Sequence, residues 1–148
     1  MKIAVGADHA GYLLKDRLRE TLARLGHEVA DFGTNGPDSV DYPDFARAVG
    51  TAVARGQADL GLLVCGTGVG MAISANKVHG VRAACCNNQY NAGLARAHNN
   101  ANVLTLGARE VAPEHAEIIL ETFLGTPFAG GRHERRIQKI SDLEHALD

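Results

Sequence analysis

The chain has 148 residues, a formal net charge of −2 and three cysteines, a length that suits one domain over residues 1–148 with a core of its own. The near-neutral charge excludes a global field for nucleic acid or an anionic membrane, no apolar run approaches the roughly 20 residues that cross a bilayer, and "MKIAVGADHAG" lacks a signal-peptide pattern. With two of the three cysteines adjacent, at Cys85 and Cys86, a disulfide framework is a poor fit and a reducing cytoplasm is the expected compartment.

The first apolar run, Lys2–Gly6, leads into "GADHAG". Leu13, Leu14, Leu18, Leu22 and Leu25 then recur at helical spacing and stop at Gly26. Glu28–Phe32 reads as a second strand, and Tyr42–Arg55 as a second helix carrying Phe45, Ala46, Val49 and Val53. Leu60–Cys65 is the third strand. It runs straight into Gly66-Thr67-Gly68-Val69-Gly70 and a further helix-like stretch. Val81–Cys86 and Asn102–Gly107 complete a set of five strands. Past Gly125 there is no sixth strand, only a loop and a helix from about His133, which needs something to pack on; a second subunit is one candidate. Near-continuous apolar strands alternating with amphipathic helices predict an α/β fold: a Rossmann-like, doubly wound, five-stranded parallel sheet with helices on both faces and a C-terminal helix. Nothing in the chain reads as a linker, repeat or low-complexity tract.

Ligands of such sheets bind at the carboxyl ends of the strands. Asp8 and His9 follow strand one, "CGTGVG" closes strand three, and Arg109 follows strand five. The glycine loop is not a P-loop, and its G-x-G-x-G spacing is not a dinucleotide fingerprint. No Asp or Glu lies between Asp59 and Glu110, so no acid is present for a ribose diol and a nicotinamide cofactor is not expected. Lys77, Arg82, Arg96 and Arg109 fall in that span and suit an anionic ligand. Backbone N–H groups at a helix start can hold a phosphate or a developing oxyanion. Cys65 at the mouth of that loop reads either as a small buried apolar residue or as a base or nucleophile. Cys85 and Cys86 read as buried strand residues. Ligand-spaced Cys/His clusters are missing, so no metal is expected.

"GADHAG", "DYPDFA" at 41–46, "CGTGVGMAISANK" at 65–77, "RAHNNANVLTLGAR" at 96–109 and "GGRHERRI" at 130–137 together resemble the ribose-5-phosphate isomerase B family. The resemblance runs along essentially the whole chain with the motifs in order. It implies metal-free interconversion of ribose 5-phosphate and ribulose 5-phosphate, in the pentose phosphate pathway, through a cis-enediolate. Relatives in the superfamily act on six-carbon substrates such as allose 6-phosphate and galactose 6-phosphate. By resemblance Cys65 is the base, while the Thr67 hydroxyl and the N–H groups of Gly66, Thr67, Gly68, Val69 and Gly70 hold the enediolate oxygen. Some relatives carry a glutamate a few residues on; Val69–Ser74 contains no acid, which favours the cysteine. A thiol ordinarily titrates near 8.5, closer to neutrality than a carboxylate does.

The resemblance also assigns ring opening to His98 and a sugar hydroxyl to Asn99. Taken alone, His98 reads as a cation favoured by a helix C-terminus. Asp8 binds sugar hydroxyls in the family, or caps the following helix. Arg132 and Arg136 share one helix face, and the resemblance implies that they grip phosphate together with His9, with Arg109 as a further contact; the alternative is a solvated basic helix start with Glu134 as partner. Cations there oppose the helix dipole, so an anion nearby makes sense of them. His27, His79, His115 and His145 read as surface residues.

Connectivity adds a constraint. Cys65 ends strand three at the carboxyl edge, whereas the helix after strand four runs back, leaving His98 at the amino edge, where Arg132 and Arg136 also fall. A six-residue strand spans roughly 20 Å. The expectation is therefore a homodimer with sites shared across the interface, or a dimer of dimers. A non-catalytic module that binds a phosphorylated metabolite is the reading from another functional class.

Overall fold

The computed structural model describes residues 1–146. Its elements in order are β1 (Lys2–Ala7), α1 (Tyr12–Arg24), β2 (Glu28–Asp31), α2 (Tyr42–Ala54), β3 (Leu60–Cys65), α3 (Val69–Ala75), β4 (Ala83–Cys85), α4 (Gln89–Asn99), β5 (Val103–Gly107), α5 (Pro113–Gly125) and α6 (Arg132–His145). The five strands form one parallel sheet in the order β2-β1-β3-β5-β4. This is the doubly wound arrangement that the alternating pattern predicts. The chain reverses its direction of winding between β1 and β3, which places their carboxyl ends side by side at the switch point.

The period-2 alternation of the central strands divides the core into two layers. Ile3, Val5, Leu62, Val64, Leu104 and Leu106 pack with α1, α4 and α5. Ala4, Leu63, Cys65 and Val103 pack with α2 and α3. Cys65 therefore faces the helix that its own loop begins. Gly26, at φ +84, ends the first helix as expected from the sequence.

Several expected elements are trimmed by a residue, and the fourth strand by more. The fourth strand is only Ala83–Cys85 rather than Val81–Cys86: Val81 N–H turns back to the Val78 carbonyl, and past Cys86 the chain enters the Asn88 cap of α4. As the edge strand, β4 is half-buried, so Cys85 is half-buried too, and only Cys86 belongs to the core. Among the described residues, no helix is long and apolar enough to cross a membrane.

Candidate active site

The carboxyl edge gathers the first group of residues. At the end of β1, Asp8 is buried, and its Oδ1 accepts the N–H groups of Ala10 and Gly11 at 2.9 and 3.1 Å. This bond closes the turn into α1, so Asp8 acts as a local cap, although the helix itself starts from Gly11. The turn lies directly on β3: Asp8 N–H donates to the Val64 carbonyl, and a Cβ on Gly11 would stand 2.3 Å from that oxygen. His9 Nδ1 accepts Val40 N–H at 3.2 Å, which puts the proton of the neutral ring on Nε2.

Beside this turn Cys65 is buried, and its Sγ accepts the Gly68 N–H at 3.1 Å. Gly68 has φ +82, a region that favours glycine, and a Cβ there would lie 2.9 Å from the Leu106 carbonyl carbon. Gly107 is equally constrained, since its Cβ would meet the Thr67 carbonyl at 2.7 Å. Close backbone approach on both sides presses the loop onto the end of β5. Thr67 Oγ1 accepts Val69 N–H at 3.3 Å. Two of the five loop N–H groups, those of Gly68 and Val69, are thus engaged inside the loop, on the thiol and on Thr67. The Tyr42 ring lies against Gly70, and the Arg109 guanidinium against Gly66.

The amino edge holds a second group. His98, in the last turn of α4, stacks on His133 with ring centroids 4.3 Å apart and planes 12° from parallel. His133 is the one buried side chain of α6, and Arg132 and Arg136 flank it from exposed positions on the same helix. Burial first, and then the charges of His98, Arg132 and Arg136, hold His133 below the usual histidine range. A cluster of cations and imidazoles at a helix N-terminus is self-repelling, and an anion would relieve it. Asn99 is exposed beside a cleft of about 690 Å³ whose lining includes Lys77, His79, Arg82, Ile140 and Leu143.

Of the four basic residues in the acid-free span, only Arg109 reaches the glycine loop. Arg82 binds the carbonyls of Asn99 and Asn100, and burial lowers its pKa. Arg96 donates to Asn100 Oδ1 and the Ala101 carbonyl and lies over the Phe123 ring. Lys77 lines the cleft at the amino edge. Counting charge along the chain therefore overstates the local field. His133, in contrast, joins the cluster without being expected from the sequence, although "GGRHERR" sets it between Arg132 and Arg136. Cys85, expected as a buried strand residue, lies with its Sγ 3.6 Å from the Thr67 carbonyl and against Gly68. Of the histidines read as surface residues, His79 and His145 are exposed, while His27 and His115 are half-buried. Among the described residues, no three His, Cys, Asp or Glu side chains converge as a metal site.

Residues 3–140 match the family model described as Ribose/Galactose Isomerase. Ribose-5-phosphate isomerase B of Escherichia coli K12 is 46% identical over 143 residues, covering 97% of this chain and 96% of that protein. The structure of Clostridium thermocellum ribose-5-phosphate isomerase B superposes with a TM-score of 0.99 at 49% identity, covering 100% of each chain. Ribose-5-phosphate isomerase B from Mycoplasma genitalium, solved with bound ribulose-5-phosphate, is 45% identical with a TM-score of 0.95, covering 98% of this chain and 97% of that one.

Proposed function

The chain belongs to the Ribose/Galactose Isomerase family, and on that premise we propose that it interconverts ribose 5-phosphate and ribulose 5-phosphate in the cytoplasm. The observation that carries the reading is the bond from Gly68 N–H to Cys65 Sγ at 3.1 Å. It sets a donor on the sulfur at the mouth of a glycine loop, where a thiolate gains stabilisation. In this reading Cys65 takes the proton from C2 of the open-chain aldose and returns it to C1 of the enediolate, while the hydroxyl proton on O2 passes to O1, so that C2 becomes the carbonyl of the ketose. The Thr67 hydroxyl and the loop N–H groups not engaged inside the loop stabilise the oxygen that becomes negative, and Arg109, expected as a phosphate contact, joins them instead because its guanidinium lies against Gly66. Asp8 and Asn99 bind sugar hydroxyls.

His98 transfers the proton that opens the sugar ring. Arg132 and Arg136 hold the phosphate with His9, and His133 joins them, because a dianion offsets the repulsion in that cluster. The register of β3 against β5, Gly61 with Val103 and Cys65 with Gly107, sets the two groups at opposite ends of the same strands. The reading accordingly requires a homodimer, the carboxyl edge of one protomer facing His98 and the arginine pair of its partner. Exposed apolar side chains at the two edges, Val69 and Ile73 on α3 and Ile140 and Leu143 on α6, support such an interface.

The direct test is turnover of ribose 5-phosphate by the wild-type protein and by Cys65→Ala. The wild type should form ribulose 5-phosphate. The variant should stay folded, lose nearly all turnover and keep its affinity for an unreactive sugar-phosphate analogue. A folded Cys65→Ala protein with near-normal kcat would end the thiol-base reading.

A further inference from the structure

Behind the Cys65 loop lies a buried hydroxyl with no part in the chemistry described so far. Thr105 sits in the middle of β5 and is fully buried. Valine would fill the same volume in such a strand, so the hydroxyl needs a reason of its own. Its Oγ1 donates to the Gly68 carbonyl at 2.8 Å, a contact between residues 37 positions apart. Gly68 is the residue whose N–H reaches Cys65 Sγ.

The carbonyl and the N–H of Gly68 are separated by its own φ and ψ. A glycine at φ +82 has no side chain to fix those torsions. Two anchors do so instead: Ala72 N–H from α3 at 3.1 Å, and the shorter bond from Thr105. The Cys85 sulfur closes the space behind, 3.0 Å from where a Gly68 Cβ would stand. Burial pushes the Cys85 thiol up, which keeps it neutral beside Cys65. The other ionisable groups that face this loop are Arg109 against Gly66, Glu110 against Gly107, Tyr42 against Gly70, and Asp8 in the turn that lies on β3.

We propose that Thr105 is a positioning residue for the isomerisation: its hydroxyl holds the Gly68 carbonyl so that the Gly68 N–H stays aimed at the Cys65 sulfur. This rests on the reading of Cys65 as the base. As the sulfur cycles between thiol and thiolate, the N–H bond strengthens in the charged state. Thr105 reaches the Gly68 carbonyl and the Cys85 thiol but none of the loop donors left free for substrate, so its loss acts on the chemical step and spares binding.

The test compares Thr105→Val, which deletes the hydroxyl at nearly constant volume, with Thr105→Ser, which keeps it. Thr105→Val should lower kcat on the order of tenfold, a fraction of the loss on deleting a donor outright, with KM close to wild type. Alkylation of Cys65 by iodoacetamide at neutral pH, followed on the peptide that contains it, should slow several-fold in the same variant. Thr105→Ser should restore kcat and the alkylation rate. Should Thr105→Val not fold, Thr105→Ala removes the same hydroxyl without adding bulk and is read in its place. A folded variant lacking the hydroxyl, with wild-type kcat and wild-type Cys65 alkylation, overturns the proposal. Alkylation reads the sulfur without turnover, so this failure is distinct from that of the base reading, which an active Cys65→Ala protein would reveal.

Discussion

Mixing two inactive variants tests the shared site most directly. At about 3.3 Å per residue, the β3 segment from Gly61 to Cys65 alone covers about 13 Å, and α4 ends beyond its amino end. His98 and Cys65 of one chain are thus too far apart to hold a five-carbon sugar phosphate between them. Cys65→Ala and His98→Ala should each be nearly inactive as homodimers. When equal amounts exchange subunits at random, about half of the dimers are hybrids. In each hybrid one site carries both substitutions, and the other has an intact Cys65 from one chain and an intact His98 from its partner. Recovered turnover should therefore plateau at about one quarter of wild type, half the sites in half the dimers. The assay is ribulose 5-phosphate formation over time after mixing, with hybrid formation followed by native mass spectrometry of tagged chains. Hybrids that form and remain inactive would refute the model, because a site built within one chain is never intact in such a mixture.

Other outcomes follow from particular side chains. Lys15 is fully buried with its Nζ 2.8 Å from Asp31 Oδ1, 2.8 Å from Asn35 Oδ1 and 3.5 Å from Asp16 Oδ1, so Asp31→Ala, which removes the nearest carboxylate and leaves Asn35 and Asp16, should cost about 3 kcal/mol, the lower end for a broken buried pair. Lys15→Met should cost only about 1–2 kcal/mol, because Asp31 is 18% exposed and keeps Arg19 at 3.2 Å and Gly33 N–H at 2.8 Å; equal losses in urea unfolding would contradict this. Since His133 is held below the usual histidine range, the unfolded chain binds that proton more readily, and the stability conferred is full above about pH 6.5 and lost as pH falls below it. Thermal midpoints should drop between pH 7.5 and 5.5 (about one unit either side of the free histidine value), and drop less in His133→Asn; matching slopes would count against the burial argument. Prolonged chelation should leave turnover unchanged, as backbone donors carry the enediolate charge; activity lost to EDTA and restored by one divalent ion would overturn that assignment.

The layered sheet was legible because its signals are local. Leu13 to Leu25 repeat at helical spacing, Leu60–Cys65 is uninterrupted, and Gly26 marks a stop. Strand order was not legible: β5 lies between β3 and β4 because of long-range pairing that no window of sequence reports. Side-chain direction was lost in the same way for Arg82 and Arg96, which turn inward to carbonyls near Asn99 and Ala101. Cys85 was recoverable in principle. Adjacent strand residues point to opposite faces, so of Cys85 and Cys86 only one could join the core under α4 and α5, and the other had to face the layer that contains Cys65 and α3. His133 was recoverable from charge: the first turn of α6 carries Arg132, His133 and Arg135 against the helix dipole, and an imidazole among guanidinium groups is the member that can stay neutral and be buried.

The two edges differ in how much of their geometry a single chain determines. At the carboxyl edge, Gly107 admits the Thr67 carbonyl, Gly68 fits against Leu106, and Thr105 with Ala72 fixes the Gly68 peptide. A loop seated on the end of a central strand cannot move without disturbing β5, so its donors are oriented before any ligand arrives, which is the condition under which electrostatic stabilisation is strongest. At the amino edge, His98 and His133 stack while Arg132 and Arg136 stay exposed, and the charges on α6 oppose one another. That arrangement is incomplete in electrostatic terms until an anion lies among the cations. In the proposed dimer the substrate's phosphate is that anion, and its carbon chain extends from the cluster of one protomer toward the rigid loop of its partner. Binding energy at the adaptable edge is then spent on aligning C1 and C2 over a thiol whose surroundings are already fixed.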